Sequence, residues 1–305
     1  MKLKPFIPSL AVLMVAAQAS ASLLAYDGFL AGGEFPAANE YQSEPASTNG
    51  TNNDALHGQA PDRLGFSTEN AWVNQDSVAA SVYPRVNSTG LTWTNQTGTE
   101  SLITTAGALE IFRSGSASGG QTKGVRRNAI PTTGGLGDTF YMSGLLQFSP
   151  GTAGSMRWQV GSSQTGGPRE HFFGFNASGN LVAGTGNTFG TSTDVFAADT
   201  THLVIARFHD GGQGNRTVQV WANPASLTNP GTADYTFAAD HFGGHNLNAL
   251  ILRGETGNSV QDPSFIFDEA RLGFSFESVA PIPEPGTLML LVIAMGTLAI
   301  FRRRK

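Results

Sequence analysis

Glu269-Ala270-Arg271-Leu272-Gly273-Phe274-Ser275-Phe276-Glu277, entered through Phe267-Asp268, places its apolar side chains Ala270, Leu272, Phe274 and Phe276 on every second residue. These point one way, and Glu269, Arg271, Gly273, Ser275 and Glu277 point the other. Successive side chains of a strand project to opposite faces, so the run predicts a half-buried strand with Asp268 on the inward parity at its start. Shorter runs upstream obey the same rule. Met156, Trp158 and Val160 alternate with Arg157 and Gln159, and Val218 and Val220 alternate with Thr217 and Gln219. Phe140, Met142, Gly144, Leu146 and Phe148 line one face of another run, His171–Phe175 is rich in aromatics, and Ala249–Arg253 is a further candidate. Leu203–Phe208 is apolar on both faces except at Arg207, which predicts a central strand. Between Ser22 and Pro281 no long 3.6-residue period and no internal repeat appears. The expected fold is therefore all-β: a two-sheet antiparallel sandwich of the jelly-roll type.

The chain has 305 residues and a formal charge of −5, with 13% charged residues and no cysteine. Removing the two terminal segments described below leaves about 260 residues, enough for one large β domain or two small ones. The absence of cysteine excludes thiol catalysis, thiolate metal sites and disulfide staples, so the domain must be stable by burial. Mild acidity with sparse Lys and Arg argues against a nucleic-acid partner.

Both ends read as addresses. Lys2 and Lys4 precede the mostly apolar Phe6–Ala17, and Ala19-Ser20-Ala21 supplies small residues at cleavage positions. Residues 1–21 are a secretory signal helix, cut between Ala21 and Ser22, with an uncleaved anchor as the alternative. At the other end Pro283-Glu284-Pro285 breaks any preceding helix. From Leu288 to Phe301 there is no charge, and the chain ends in Arg302, Arg303, Arg304 and Lys305. As a helix the uncharged run spans roughly 22 Å. That is short of the roughly 30 Å of a bilayer core, which suits a temporary anchor with its cations on the cytoplasmic side. The organisation is then 1–21 signal, 22–280 β-sandwich and 281–305 sorting and anchor segment, with helices expected at both flanks.

The order Pro-Glu-Pro-Gly-Thr, short apolar run and terminal cation cluster resembles the PEP-CTERM sorting signal, with Ile282 where Val is usual. That resemblance implies export in a Gram-negative bacterium and recognition by an exosortase-type membrane protease together with the export machinery. It also implies a transient inner-membrane anchor and a final place at the cell surface or in an exopolysaccharide matrix. The strand-like runs Leu23–Phe29, Phe140–Leu146, Val218–Pro224 and Phe267–Gly273 resemble a concanavalin A-like, laminin G-like jelly roll. This implies that the first and last strands are neighbours, with Leu24–Phe29 beside Ala270–Phe276.

Candidate chemistry is sparse. Jelly-roll glucanases use Glu-x-Asp-x-x-Glu, which is absent here. Asp268 and Glu269 are adjacent and so are expected on opposite faces, and no catalytic residue is assigned. His241 and His245 flank Phe-Gly-Gly, a pattern suited to a loop rather than a metal-binding helix. Calcium is the one cofactor with candidate ligands: Asp268, expected inward and in need of a partner, with Asp27 and Asp262. Otherwise Asp268 caps the loop before its strand. Trp221, opposite in parity to Val218 and Val220, is either an exposed platform for sugar or a contact to a further layer. Trp93 is the other candidate for glycan stacking. The expected function is non-catalytic binding or structuring of polysaccharide. The alternatives are a glycan-active hydrolase or lyase and a protein-binding adhesin.

Overall fold

The computed structural model describes residues 23–29, 73–74, 82–113, 121–128, 138–149, 155–161, 171–186, 188–212, 215–239, 249–256 and 264–281. The strands in chain order begin with β1 (Leu23–Asp27), β2 (Val73–Asn74), β3 (Val82–Asn87), β4 (Ala108–Arg113) and β5 (Gln121–Asn128). β6 (Thr139–Phe148), β7 (Ser155–Gly161), β8 (His171–Phe175), β9 (Asn180–Thr185) and β10 (Thr188–Val195) follow. The last are β11 (His202–Asp210), β12 (Arg216–Ala222), β13 (Tyr235–Ala238), β14 (Ala249–Thr256) and β15 (Ser264–Gly273), before the single turn α1 (Phe276–Val279).

The strands form two antiparallel sheets. Sheet one runs β13-β12-β11-β6-β15-β4-β3, with β1 on the second half of β15, and sheet two runs β10-β9-β8-β7-β14-β5-β2. β11, apolar on both faces, lies between β12 and β6 as its composition predicts. The first and last strands are neighbours, with Ala25 opposite Leu272 and Asp27 opposite Ala270.

Between the sheets lies a core in which Trp158, Phe173, Phe175, Leu250 and Leu252 of sheet two meet Phe140, Phe148, Val204, Phe208 and Phe267 of sheet one. Burial of this apolar surface, at about 25 cal/mol per Å², is the main term holding the sheets together. A second, smaller cluster covers the outer face of sheet one. There Leu145, Leu203, Ile205 and Trp221 pack against Leu91, Trp93 and Leu102 of the segment 88–107, against Leu227, and against Phe276 and Val279 of α1. This third layer is why β11 is buried on both sides.

The last strand departs from its alternating pattern twice. Its register slips between Asp268 and Arg271, where Glu269 adopts a left-handed φ of 55°. Phe265 and Phe267 face the core before the slip, and Ala270 and Leu272 face it after. The extra residue of this bulge flips the parity. Asp268 therefore stands opposite Leu145, on the outer face rather than the inward one. The strand also stops at Gly273. Phe274 is exposed, and Ser275 caps α1 by accepting from the Ser278 N–H, with the Ser278 hydroxyl turned back to the cap. A reciprocal cap outcompetes one more pair of strand residues.

One charge pair sits inside the main core. Asp27 projects inward from β1 and Arg127 from β5. Asp27 Oδ2 accepts from Arg127 Nη1 at 3.3 Å, and Asp27 Oδ1 accepts from the Phe29 N–H at 3.0 Å. Both side chains are fully buried, so the pair ties β1 of one sheet to β5 of the other. The expected flanking helices fall on residues 1–21 and 282–305, outside the described residues. Among those described, no helix is long and apolar enough to cross a membrane.

Removing one partner of such a buried pair strands the other charge in an apolar medium. Arg127→Met is expected to lower unfolding stability by about 3–5 kcal/mol in urea titration. Asp27→Leu/Arg127→Met together should recover most of that loss. A double variant no more stable than the single one would contradict the charge argument.

Candidate functional site

The outer layer is held by β15. Asp268 Oδ2 accepts from the Leu91 N–H at 2.7 Å, and its Oδ1 from the Glu269 N–H at 2.7 Å. Glu269 Oε1 accepts from the Thr105 N–H at 2.5 Å, while Arg271 Nη2 donates to Glu269 Oε2 and to the Ile103 carbonyl, each at 2.5 Å. The guanidinium lies over the Tyr26 ring at 5.1 Å. The adjacent acids were expected on opposite faces, but the bulge turns both to the same task. They grip the two ends of the strap 91–105. Burial, and then the neighbouring Glu269 charge, pushes the Asp268 carboxyl well above its ordinary range. Burial also raises Glu269, against the pull of Arg271.

The middle of the strap is fixed by the loop after β12. Glu100 accepts from the Leu227 N–H and from the hydroxyls of Ser226 and Thr228. Asn95 closes the intervening turn by accepting from the Thr99 and Glu100 N–H groups.

Asn223, in the left-handed region at φ 53°, joins the strap to β11. Its Oδ1 accepts from Trp93 Nε1 at 3.1 Å and from the Leu203 N–H at 3.0 Å. Its Nδ2 therefore faces His202 Nδ1, at 3.0 Å. His202 Nε2 lies 2.8 Å from the Ala197 carbonyl, which can only accept, so Nε2 carries the proton and Nδ1 accepts. The imidazole is neutral and packed among Phe148, Phe175 and Phe196. Burial lowers its pKa from the ordinary 6.5, with the Ala197 carbonyl opposing the shift.

Above this relay runs a polar groove made of two joined depressions of about 350 and 380 Å³. Gln96 and Asn223 line both. The first is walled by Thr92, Trp93, Thr94, Thr200 and Thr201, and the second by Asp194, Phe196, Asp234 and Tyr235. It forms where the edge strands β10 and β13 approach one another. Gly190 makes that approach possible, because a Cβ there would lie 1.8 Å from Phe237 Cδ1. Phe237 in turn backs the Tyr235 ring, the two planes stacked at 6.1 Å. The Tyr235 hydroxyl donates to Asp194 Oδ2, and the Ala222 N–H donates to Asp234 Oδ2 at 2.8 Å. Burial, then the Asp194 bond and the charges of Asp194 and Asp234, raise the Tyr235 pKa, so the phenol stays a donor.

The sequence-derived candidates land differently. Trp221 and Trp93 are buried, at 7% and 6% exposure, and neither offers a ring face for sugar. Trp221 meets Phe276 edge to face at 5.4 Å, the further-layer contact rather than the platform. Trp93 lines the groove only through its small exposed fraction. Asp27 gives its carboxylate to Arg127 and a backbone N–H, and Asp268 gives both oxygens to backbone N–H groups, so the partners sought for these acids come from the protein. Asp262, His241 and His245 lie outside the described residues. Among those described, no three His, Asp or Glu side chains gather as a metal site. Asp194 of β10 meets Asp234 and Tyr235 at the start of β13, a juxtaposition across two edge strands that no local pattern in the sequence marks.

Residues 281–305 match the PEP-CTERM protein-sorting motif. PEP-CTERM marks an exported protein with a transient C-terminal membrane anchor, processed by an exosortase-type system. Pro283, Glu284, Pro285 and Arg302–Lys305 all fall in this match and outside the described residues, as do Ala19 and Ala21 of the signal segment. No curated protein matches the chain. Among solved structures it is similar to botulinum neurotoxin type C, at 10% identity and a TM-score of 0.41, over 65% of this chain and 47% of that one. It thus spans about half the length of the neurotoxin chain. It is also similar to the endo-β-1,4-glucuronan lyase of Trichoderma reesei, at 12% identity and a TM-score of 0.37, over 64% and 97% of the two chains. The PL-14 alginate lyase of Aplysia kurodai stands at 12% and 0.40, over 62% and 90%.

Protonating His202 would set an N–H against the Asn223 Nδ2–H and break the relay to Trp93. A folded pKa below the unfolded value makes the unfolded chain bind more protons between the two. The contribution is complete above 6.5 and is lost as pH falls through the lowered folded value. The raised Asp268 and Glu269 carboxyls act in the opposite sense, so the His202 contribution is read as a difference. Between about pH 7.5 and about pH 5 the urea midpoint should fall relative to that of His202→Gln, and the Trp93 indole N–H resonance should shift in the unmodified protein but not in the variant. An unmoved indole signal across that range would contradict the relay.

Proposed function

We propose that this exported β-sandwich protein acts without catalysis at the cell surface or in the extracellular matrix, binding exopolysaccharide in the polar groove. The observation that carries the reading is the groove wall itself. Thr92, Thr94 and Thr200 line one depression, Asp194, Asp234 and a half-buried Tyr235 line the other, and Gln96 lines both. Short polar side chains beside an aromatic ring match a saccharide, which presents hydroxyls at its edge and C–H groups on its face. The sorting motif supports the setting, because it directs the domain to the compartment where such polymers lie.

Exposure argues against a glycosidase. A general acid needs a carboxyl held protonated at neutral pH, which requires burial. Asp194 and Asp234 are exposed, and the buried acids with raised pKa, Asp268 and Glu269, are outside the groove and occupied by the strap. One observation favours a second reading, a hydrolase or lyase: two carboxylates share a depression with a tyrosine.

Affinity electrophoresis through gels cast with neutral and acidic polysaccharides separates the two. The full-length protein is expected to be retarded, and Gln96→Ala to weaken retardation by about threefold to tenfold. No new reducing ends and no unsaturated uronates should form on prolonged incubation. Product release abolished by Asp194→Asn or Asp234→Asn would establish the catalytic reading instead. Unretarded migration in every gel would refute saccharide binding.

A further inference from the structure

The groove has a sign. Among the described residues lining it, Asp194 and Asp234 carry charge and no Lys, Arg or His joins them. Both carboxylates are held by a protein donor on Oδ2, the Tyr235 hydroxyl for Asp194 and the Ala222 N–H for Asp234. Their Oδ1 atoms are left as charged acceptors. An ionised carboxylate accepts only, and a pair of neighbouring sugar hydroxyls supplies matching donors in a charge-assisted bond. Threonine hydroxyls and the Gln96 amide can serve either way along the rest of the wall. A sugar acid inverts this match. Its carboxylate would enter beside two like charges, in a groove whose described walls hold no cation to receive it.

We infer that the groove selects an uncharged saccharide chain and discriminates against uronate or sulfated chains. The inference rests on the saccharide reading of the groove. The discrimination comes from charge rather than shape, because a uronic acid differs from its parent hexose only at C6. Asp194 and Asp234 set the preference, Tyr235 supplies the apolar face, and Gln96 bridges the two depressions.

Matched oligosaccharides test the inference. Cellohexaose is paired with the β-1,4-glucuronate hexamer, and β-1,4-mannohexaose with the β-1,4-mannuronate hexamer. Each is titrated calorimetrically into the full-length protein in a sugar-free detergent, with EDTA present to remove bridging cations. The neutral member of at least one pair should bind at least about tenfold more tightly than its acid. The gap should narrow as salt is raised and in Asp194→Asn/Asp234→Asn, since both weaken the repulsion. Gln96→Ala, a substitution at an exposed position, should weaken the neutral ligand while leaving the fold intact. An acid that binds as tightly as its neutral partner, and loses affinity in Gln96→Ala, would overturn the charge selection and leave the groove as the site. Binding insensitive to Gln96→Ala and to the double variant, or no binding in either pair, would overturn the saccharide reading and the inference with it.

Discussion

The outer half of this molecule depends on one irregularity, the bulge at Asp268–Glu269. A regular strand would send these acids to opposite faces. With Glu269 in the left-handed region, the strand gains a residue and both carboxylates take backbone N–H groups of one strap, at Leu91 and at Thr105. Each such hydrogen bond contributes about 0.5–1.5 kcal/mol, more where the acceptor is charged, so two of them are comparable with a strained φ of about 1–3 kcal/mol. The strap carries Trp93, Thr94 and Gln96, so whatever fixes it also shapes the groove. Asn223 passes the same constraint to β11 through His202, and Glu100 passes it to the loop at Leu227. Strap, relay and groove form one connected piece.

The low charge content of the chain acquires a meaning in this frame. Few charges are present, and several are buried in places where each joins separate elements: Asp27 with Arg127 between the sheets, Asp268, Glu269 and Arg271 beneath the strap. A buried ion pair adds little net stability compared with apolar residues of the same shape. What it supplies here is register, because only one alignment of β1 on β15 brings Asp27 under Arg127. For a cysteine-free protein sent outside the cytoplasm, such internal ties stand where disulfides often would.

Much of the sandwich was legible because it rests on period-2 burial. The runs at Met156–Val160, Val218–Val220 and Leu203–Phe208 are strands as read, and the pairing of the first strand with the last followed from resemblance to jelly rolls. The failures share a cause. A bulge is a backbone event, and Asp268-Glu269 has no Gly or Pro to announce it, so parity was carried straight through. Phe274 and Phe276 continued the alternation in letters, while the Ser275–Ser278 cap ended the strand in space. Trp221, on the outward parity, left platform and further-layer contact both open, because burial depends on what covers a face. The covering layer comes from segments far away in sequence, at 88–107 and 276–280. The groove was hidden for the same reason, since Gln96, Asp194 and Asp234 meet only after both sheets have closed.

Amide hydrogen exchange across the strap tests the central claim most directly. If the acids of β15 hold it, the Leu91 and Thr105 amides should exchange as slowly as those of β6 and β11, through global unfolding alone. Asp268→Asn should speed exchange at Leu91 and at the Trp93 indole together. Exchange of these amides at the fast rates of a free surface loop in the unmodified protein would contradict the account.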